Sequence, residues 1–273
     1  MTTGRGRASA ASVIVAFLRK DALLAVSCKV PFVFEAVSIL FVLFEFLLLS
    51  KIVPANEVEG GYFSFAVTGL VVTVFVVAGV SVIAGSVRQE QVQGTLEVTL
   101  SAGLTQPKLA AGLAAYPIMS GVVRAAALIG IAAAVGARAP AGVTSNWGLA
   151  TAAVVIGSIS FVAIGLMAAS LVLVFRQAAA VSTWLLTLLT LAAGATFPLR
   201  LLPDWAQTLS EVSPVTQALR LVRKATLEGA PLARGLTGLG VLLLMAAAYG
   251  VLALGALTFA LRWGRRAGDL AQY

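Results

Sequence analysis

The stretch Arg88-Gln-Glu-Gln-Val-Gln-Gly-Thr-Leu-Glu97 separates two long apolar runs and decides how this chain is organised. The run before it, residues 62–87, reads YFSFAVTGLVVTVFVVAGVSVIAGSV. A run of about 18 or more apolar residues predicts a transmembrane helix. The polar stretch itself is unsuited to lipid, but its Glu, Gln and Leu favour a short amphipathic helix. Such a helix between two spans is suited to docking a soluble partner. This indicates a membrane subunit whose movement is driven by a separate protein.

The composition fits a membrane protein and excludes several kinds of site. Of 273 residues, 60% are hydrophobic and 11% are charged, with a mean hydropathy of +1.00. There is no His and a single Cys, Cys28, which excludes His metal ligands, an internal disulfide and a Cys-cluster metal site. No Gly-Lys-Ser/Thr sequence is present, so the chain has no recognisable phosphate loop for ATP. We therefore expect neither a catalytic residue nor a metal site.

The net charge of +8 is carried mostly by residues at the ends of the apolar runs. Such residues act as topology and headgroup signals, so we expect membrane lipids and no nucleic acid as a partner. Basic residues are more numerous on the side that holds both termini, which favours cytoplasmic termini. The connector 200–234 supplies most of the basic residues on the other side, so it must be unusual.

The apolar runs predict an all-α polytopic membrane protein with six transmembrane helices. The predicted spans are Pro31–Val53, Tyr62–Val87, Leu109–Ala137, Trp147–Phe175, Ala178–Leu201 and Gly235–Leu261. We take residues 31–273 as a single transmembrane domain, and residues 1–30 as an N-terminal tail with an interfacial helix.

The predicted interfacial helix covers residues 9–29. Val13, Phe17 and Leu24 fall on one side of it, and Ser12, Arg19 and Lys20 lie towards the other. An amphipathic helix of this kind lies flat at the membrane surface. The alternative is an ordinary membrane-proximal tail.

The connector between the last two spans predicts a helical hairpin over residues 198–229. Trp205, Leu209 and Val212 share one face of a first short helix, and Pro214 can begin a second helix after Ser213. On that second helix the cations Arg220, Arg223 and Lys224 are predicted to share a polar face. Two helices too apolar for a free loop and too short to span indicate a re-entrant outer hairpin. The alternative is a surface-lying loop with anionic-lipid contacts.

Charged residues inside the predicted spans are candidate functional groups. A charge at the bilayer centre costs about 2.5–3.5 kcal/mol on insertion scales, so it usually faces protein or water. Glu35 and Glu45 lie in the first span and Arg124 in the third. Glu45 and Arg124 fall at similar depth, because the two spans run in the same direction. We predict that they pair, or that one of them lines a polar path.

Two helical faces combine aromatic and hydroxyl side chains. The first span carries Phe34, Ser38, Phe41 and Glu45 at helical spacing, and the fifth carries Thr183, Trp184, Thr187 and Thr190. These faces fit contact with an amphipathic cargo. The alternative is ordinary packing, because aromatic stripes usually pack and intramembrane Thr usually bonds its own backbone.

Several motifs, in order along essentially the whole chain, resemble the permeases of ABC-2-type transporters. The quoted polar stretch ends in Gly94-Thr95-Leu96-Glu97 and is followed by the breakers Gly103 and Pro107. The connector carries Phe197-Pro198, then Leu202-Pro203 and Trp205. The opening 17–21 and the ending 262–273 also look like theirs. The chain departs from the family where Gln89, Gln91 and Gln93 replace charges usual before Gly-Thr-Leu-Glu.

The resemblance implies roles for these residues. Residues 88–104 would form the cytoplasmic coupling helix between spans two and three, which sits in a groove of the ATPase subunit. Spans one, two and five would surround the translocation route. The residues that couple to the ATPase would be Arg88, Glu90, Gly94, Thr95, Leu96 and Glu97. The residues of the translocation route or of an intramembrane pair would be Phe34, Phe41, Glu45, Arg124, Thr183, Trp184, Thr187 and Thr190. The residues of the outer hairpin would be Phe197, Pro198, Pro203, Trp205 and Pro214.

The same resemblance implies a half-transporter in a bacterial inner membrane. Two copies of a separate ABC ATPase subunit would bind ATP and Mg, and a second permease copy, identical or paralogous, would complete the path. The cargo would be a hydrophobic or amphipathic drug-like molecule, lipid or lipid-linked glycan. Polysaccharide export by the same family and a self-sufficient secondary transporter are the alternatives. An intramembrane enzyme is disfavoured, because no His and no paired intramembrane Asp are present.

Overall fold

The computed structural model of the chain describes residues 10–27, 29–53, 61–92, 106–134, 146–175 and 178–267. Every regular element within these ranges is helical. Within these ranges ten α-helices follow one another. They are α1 (Ala10–Ser27), α2 (Lys29–Ile52), α3 (Tyr62–Val77), α4 (Ile83–Val92), α5 (Gln106–Ala134), α6 (Trp147–Phe175), α7 (Ala178–Ala193), α8 (Asp204–Glu211), α9 (Pro214–Thr226) and α10 (Leu232–Ala267). The structure thus confirms an all-α fold.

Four helices in the described ranges are long and apolar enough to cross a membrane. They cover Tyr62–Gln89, Ala110–Ala134, Trp147–Val172 and Leu232–Ala260, and they match the predicted second, third, fourth and sixth spans. The predicted first span coincides with α2, which is not among these four. The predicted fifth coincides with α7, whose apolar part is short. A count of six spans therefore stays a prediction.

The predicted fifth span is too long at its C-terminal end. We expected the helix to reach Leu201, but α7 ends at Ala193. Gly194 follows with φ of 65°, a left-handed conformation that stops a helix and favours glycine. Its N–H donates to the carbonyl oxygen of Leu191 at 3.2 Å, and a short 3₁₀ turn, Leu199–Leu201, comes next.

Helix α6 is the central element of the bundle. Phe161 and Val172 are buried in a core cluster that also draws on α3, α7, α9 and α10. Small residues of α6 let neighbouring elements approach closely. A Cβ at Gly157 would lie 3.0 Å from the Cβ of Ala218 in α9.

The helices define two ends of the bundle. At the first, which we name the hairpin end, the start of α3 and the residue before α6 meet the segment 192–231. At the second, the coupling end, α1, the first half of α4, the start of α5 and the last part of α10 contribute to one apolar cluster, which contains Phe17, Val87, Leu113 and Leu257. Tyr62–Gln89, α5, α6 and α10 therefore run up and down between these two ends.

Candidate functional site

The quoted polar stretch begins inside a helix at the coupling end. Helix α4 continues through Arg88 and Glu90 to Val92, so these residues belong to its last turns instead of starting a new helix. Gly94, Thr95, Leu96 and Glu97 lie outside the described residues, and their coupling role stays a prediction. The membrane helix that starts at Tyr62 therefore leads directly into the stretch that we expect to dock a partner.

A π-helical segment interrupts that membrane helix at Ala78–Val82. A π segment holds an extra residue per turn, and such segments often occur at functional sites. Gly79 in this segment meets Gly165 of α6 backbone against backbone. A Cβ at Gly165 would lie 1.7 Å from the carbonyl oxygen of Gly79, so only glycine fits there. We name this crossing the glycine contact; it lies between the two ends of the bundle.

Helix α1 packs against α5 at the coupling end. The ring of Phe17 lies over Gly112, where a Cβ would be 2.8 Å from the ring. Val13 is buried and Phe17 is half-buried, whereas Ser12, Arg19 and Lys20 are exposed; the side chain of Leu24 lies outside the described residues. The Lys20 ammonium lies 5.5 Å from the centre of the Phe17 ring, and Val15 and Leu23 are exposed. Residence at the membrane surface stays a prediction.

At the hairpin end, side chains hold the carbonyl groups of the turn 192–196. Thr216 Oγ1 donates to Ala192 at 3.4 Å, and the Tyr62 hydroxyl donates to Thr196 at 3.2 Å. Arg223 donates to Gly194 at 3.0 Å and to Ala195 at 2.9 Å. We name this set the turn clasp. It ties the end of α7 to α9 and to the start of α3.

Arg223 is the centre of the turn clasp. Its guanidinium lies 3.4 Å from the centre of the Phe65 ring and donates to the Phe65 carbonyl oxygen at 3.4 Å. Burial lowers its pKa to about 9, so the group stays cationic at neutral pH. Helix α9 lies outside the four helices identified as spans. The sequence predicts one polar face shared by Arg220, Arg223 and Lys224, and the structure adds that Arg223 turns inward from that face to bond the turn.

The sequence does carry a signal for this inward position. At 100° per residue, Arg223 falls on the wheel between Thr216 and Leu219, and both are fully buried. Arg220 and Lys224 fall on the opposite side of Thr216 from Arg223. Arg220 stays accessible and sits 3.9 Å from Glu211. A charged residue at the edge of a buried arc is a candidate for an inward hydrogen-bonding role.

Asn146 forms a second clasp at the hairpin end. Its side-chain oxygen accepts from the Leu149 N–H at 3.1 Å, which caps the start of α6. Its Nδ2 donates to Ala230 at 3.3 Å, and its backbone N–H donates to Ala225 at 2.9 Å. One residue thus joins α6 to the end of α9 and to the following turn.

We expect Asn146→Ala to lower the free energy of unfolding by about 1–2 kcal/mol, because it removes a helix cap and one further hydrogen bond. Thermal unfolding of the purified protein in detergent measures this. Asn146→Asp is the matched control, since aspartate keeps the cap but cannot donate to Ala230. An alanine variant as stable as the aspartate variant would show that the cap has no role.

The predicted hairpin residues lie in and around α8 and α9. Pro198 precedes the 3₁₀ turn, with Phe197 half-buried beside it, and Pro214 occupies the first turn of α9 as predicted. The carbonyl oxygen of Pro203 accepts from the N–H groups of Ala206 and Gln207. Trp205 is 72% exposed, while the small residues on the opposite face of α8, Ala206 and Ser210, are buried. The large apolar face of α8 therefore points away from the bundle.

The aromatic residues of the two predicted stripes face outward. Phe34 and Phe41 of α2 are each 69% exposed, and Trp184 of α7 is 70% exposed. The Thr187 hydroxyl donates to Thr183 O at 2.8 Å, and the Thr190 hydroxyl donates to Leu186 O at 2.7 Å. The hydroxyls of Thr187 and Thr190 therefore bond their own helix, which makes this part of the stripe less polar.

The predicted pair Glu45 and Arg124 lies on two helices that share a small cluster. Leu43 of α2 and Leu128 of α5 both belong to that cluster. Arg124 precedes Leu128 by one turn, whereas Glu45 follows Leu43. Glu45 is exposed. Pairing with Arg124 stays a prediction.

A family model described as ABC-2 type transporter matches residues 22–227. The matched region runs from within α1 to the residue after α9, and so includes the glycine contact and the turn clasp. No curated protein matches the chain.

Proposed function

Since the chain belongs to the ABC-2 type transporter family, we propose that it is the membrane permease subunit of an ATP-binding-cassette exporter. Two copies of a separate ATPase subunit bind ATP and Mg, and a second permease copy, identical or paralogous, completes the path. The subunit lies in the bacterial inner membrane as a multi-pass protein with six spans and both termini in the cytoplasm. The chain itself carries out no bond chemistry.

One observation supports this proposal most directly. The membrane helix that starts at Tyr62 runs from the turn clasp, past the glycine contact, to the polar stretch at the coupling end. A movement imposed on that stretch is passed along a single helix to the hairpin end. Such a helix suits a subunit that converts closure of the ATPase pair into opening on the far side.

The cargo we propose is hydrophobic or amphipathic. The stripes on α2 and α7 present exposed aromatic rings, and the hydroxyls of Thr187 and Thr190 on α7 already bond their own helix. A surface of this kind offers a glycan few hydrogen-bonding groups. A drug-like molecule, a lipid or a lipid-linked glycan suits it better than a free polysaccharide.

We expect a tagged copy, purified from its own membranes in mild detergent, to bring down an ATPase subunit. Changing Gly94 and Glu97 together to alanine should abolish that recovery, because these residues are proposed to sit in the groove of the ATPase. ATPase activity in the eluate measures the result.

The matched control changes Lys51 to Gln at the opposite end of the bundle, and this variant should recover the ATPase fully. An eluate without ATPase from the unchanged protein would overturn the exporter proposal. Equal recovery by the Gly94/Glu97 variant and the unchanged protein would instead reject these coupling residues.

A further inference from the structure

A cavity of about 150 Å³ lies at the hairpin end, between the end of α9 and the start of α10. Its wall contains two basic and one acidic side chain, together with small and apolar residues. The lining residues are Leu149, Lys224, Glu228, Ala230, Arg234 and Gly235. Neither the turn clasp nor the proposed coupling uses this cavity.

The walls of the cavity are fixed by the fold. The clasp of Asn146 ties α6 to Ala225 and Ala230 on either side of the turn that closes the cavity. Gly229 in this turn has φ of 63°. At Gly235 a Cβ would lie 2.3 Å from a methyl carbon of Leu149, so the close approach of α10 to α6 requires glycine. The backbone that surrounds the cavity is therefore held in place by the fold.

The two cations of the cavity have no protein partner in the described part of the chain. Neither the Lys224 ammonium nor the Arg234 guanidinium makes a hydrogen bond or ion pair there, although the carboxylate of Glu228 lines the same wall. Elsewhere on α9 the charged side chains are engaged, since Arg220 lies near Glu211 and Arg223 forms the turn clasp. Two cations on the wall of one cavity, neither of them in an ion pair within the described residues, suit an anion.

The surroundings of the cavity point to a lipid as the source of this anion. Leu232 and Leu236 are exposed on α10 next to Arg234, and Trp147 is exposed at the start of α6. Tryptophan and basic side chains at span ends sit at headgroup level, and the phosphate is the anion that phospholipids present there. The guanidinium of Arg234 can donate two parallel hydrogen bonds to a phosphate, and Lys224 can add a point charge.

We propose that this cavity binds the phosphate group of a membrane phospholipid. Lys224 and Arg234 hold the phosphate, and Leu232 and Leu236 contact the acyl chains below it. The site is separate from the translocation route and does not depend on the exporter function.

Native mass spectrometry of the full chain tests the proposal. Delipidated protein is titrated with phosphatidylglycerol, and the unchanged protein should retain one more lipid than the double variant Lys224→Gln/Arg234→Gln. Losing two charge-assisted hydrogen-bonding partners should weaken binding by roughly 100-fold, about tenfold for each cation. Lys51→Gln is the matched control, because Lys51 is an exposed cation at the same end that does not line the cavity, and it should bind like the unchanged protein.

Two further arms complete the test. The charge-keeping variant Lys224→Arg/Arg234→Lys should bind within a few-fold of the unchanged protein, which separates lost charge from lost fold. Inorganic phosphate should not displace the lipid. Displacement by inorganic phosphate would assign the site to a free anion and overturn the lipid as its source. Equal lipid retention by the unchanged protein and the double glutamine variant would overturn the site altogether.

Discussion

Replacing Arg223 by methionine should lower the free energy of unfolding by about 3 kcal/mol. Methionine fills a similar volume but cannot donate, so the carbonyl groups of Gly194 and Ala195 lose their charge-assisted partner, at roughly 1.5–3 kcal/mol each before any relaxation. The cation–π contact with Phe65 is lost as well. The midpoint of thermal unfolding in detergent should fall by roughly 6–12 °C.

Arg220→Met is the matched control for this prediction. It makes the same chemical change three residues earlier on α9, at an accessible side chain whose ion pair with Glu211 spans 3.9 Å. An exposed pair of this kind contributes about 0–1 kcal/mol, so the midpoint should hardly move. The unfolding midpoint of Arg223→Lys should lie between those of the two methionine variants. Lysine keeps the charge but lacks the planar guanidinium that bonds two carbonyl groups at once. Equal midpoints for the Arg223 and Arg220 methionine variants would show that the turn clasp does not stabilise the protein.

Gly165→Ala should be about as damaging, although it adds a single methyl group. The new carbon would lie 1.7 Å from the carbonyl oxygen of Gly79 and 2.7 Å from its carbonyl carbon. Both atoms belong to backbone, so no flexible side chain can move aside. Overpacking usually costs about 1–3 kcal/mol, and we expect the upper end of that range or more. The midpoint of thermal unfolding and the export rate should both fall.

Gly250→Ala is the control, and its effect should have the opposite sign. No atom lies within 4 Å of a Cβ at Gly250, and this residue is also inside a helix. Alanine is a better helix former than glycine by about 1 kcal/mol, so this variant should be slightly more stable than the unchanged protein. If both alanine variants shifted stability in the same direction, the glycine contact would not be the cause.

The sequence predicted the long helices well because each depends on its own run of apolar residues. The helices at Tyr62–Gln89, Ala110–Ala134, Trp147–Val172 and Leu232–Ala260 match predicted spans closely, and Pro214 begins α9 as expected. Where a single residue ends an element, the prediction was less accurate. Helix α7 ends early at Gly194, where Arg223 and Thr216 of α9 bond carbonyl groups of the turn 192–196. A hydropathy pattern does not show such contacts.

Tertiary hydrogen bonds were the part that the sequence did not predict. Tyr62, Asn146 and Arg223 each bond carbonyl groups far away along the chain, such as Tyr62 to Thr196. Pattern reasoning places a cation by the polarity of its neighbours, whereas the position of Arg223 follows from carbonyl groups that a turn leaves without partners. The contact between Gly79 and Gly165 could not be predicted either. Small residues indicate that two helices can approach closely, but not which helix is the neighbour.

The π segment at Ala78–Val82 has a geometrical consequence for the polar stretch beyond it. One extra residue in a helical turn rotates everything that follows by about 100° around the axis. The rotation of the helix at Arg88 is therefore set upstream, by the π segment that meets Gly165. In a lineage without that insertion, the same amino acids would present a different side of the helix to whatever binds them.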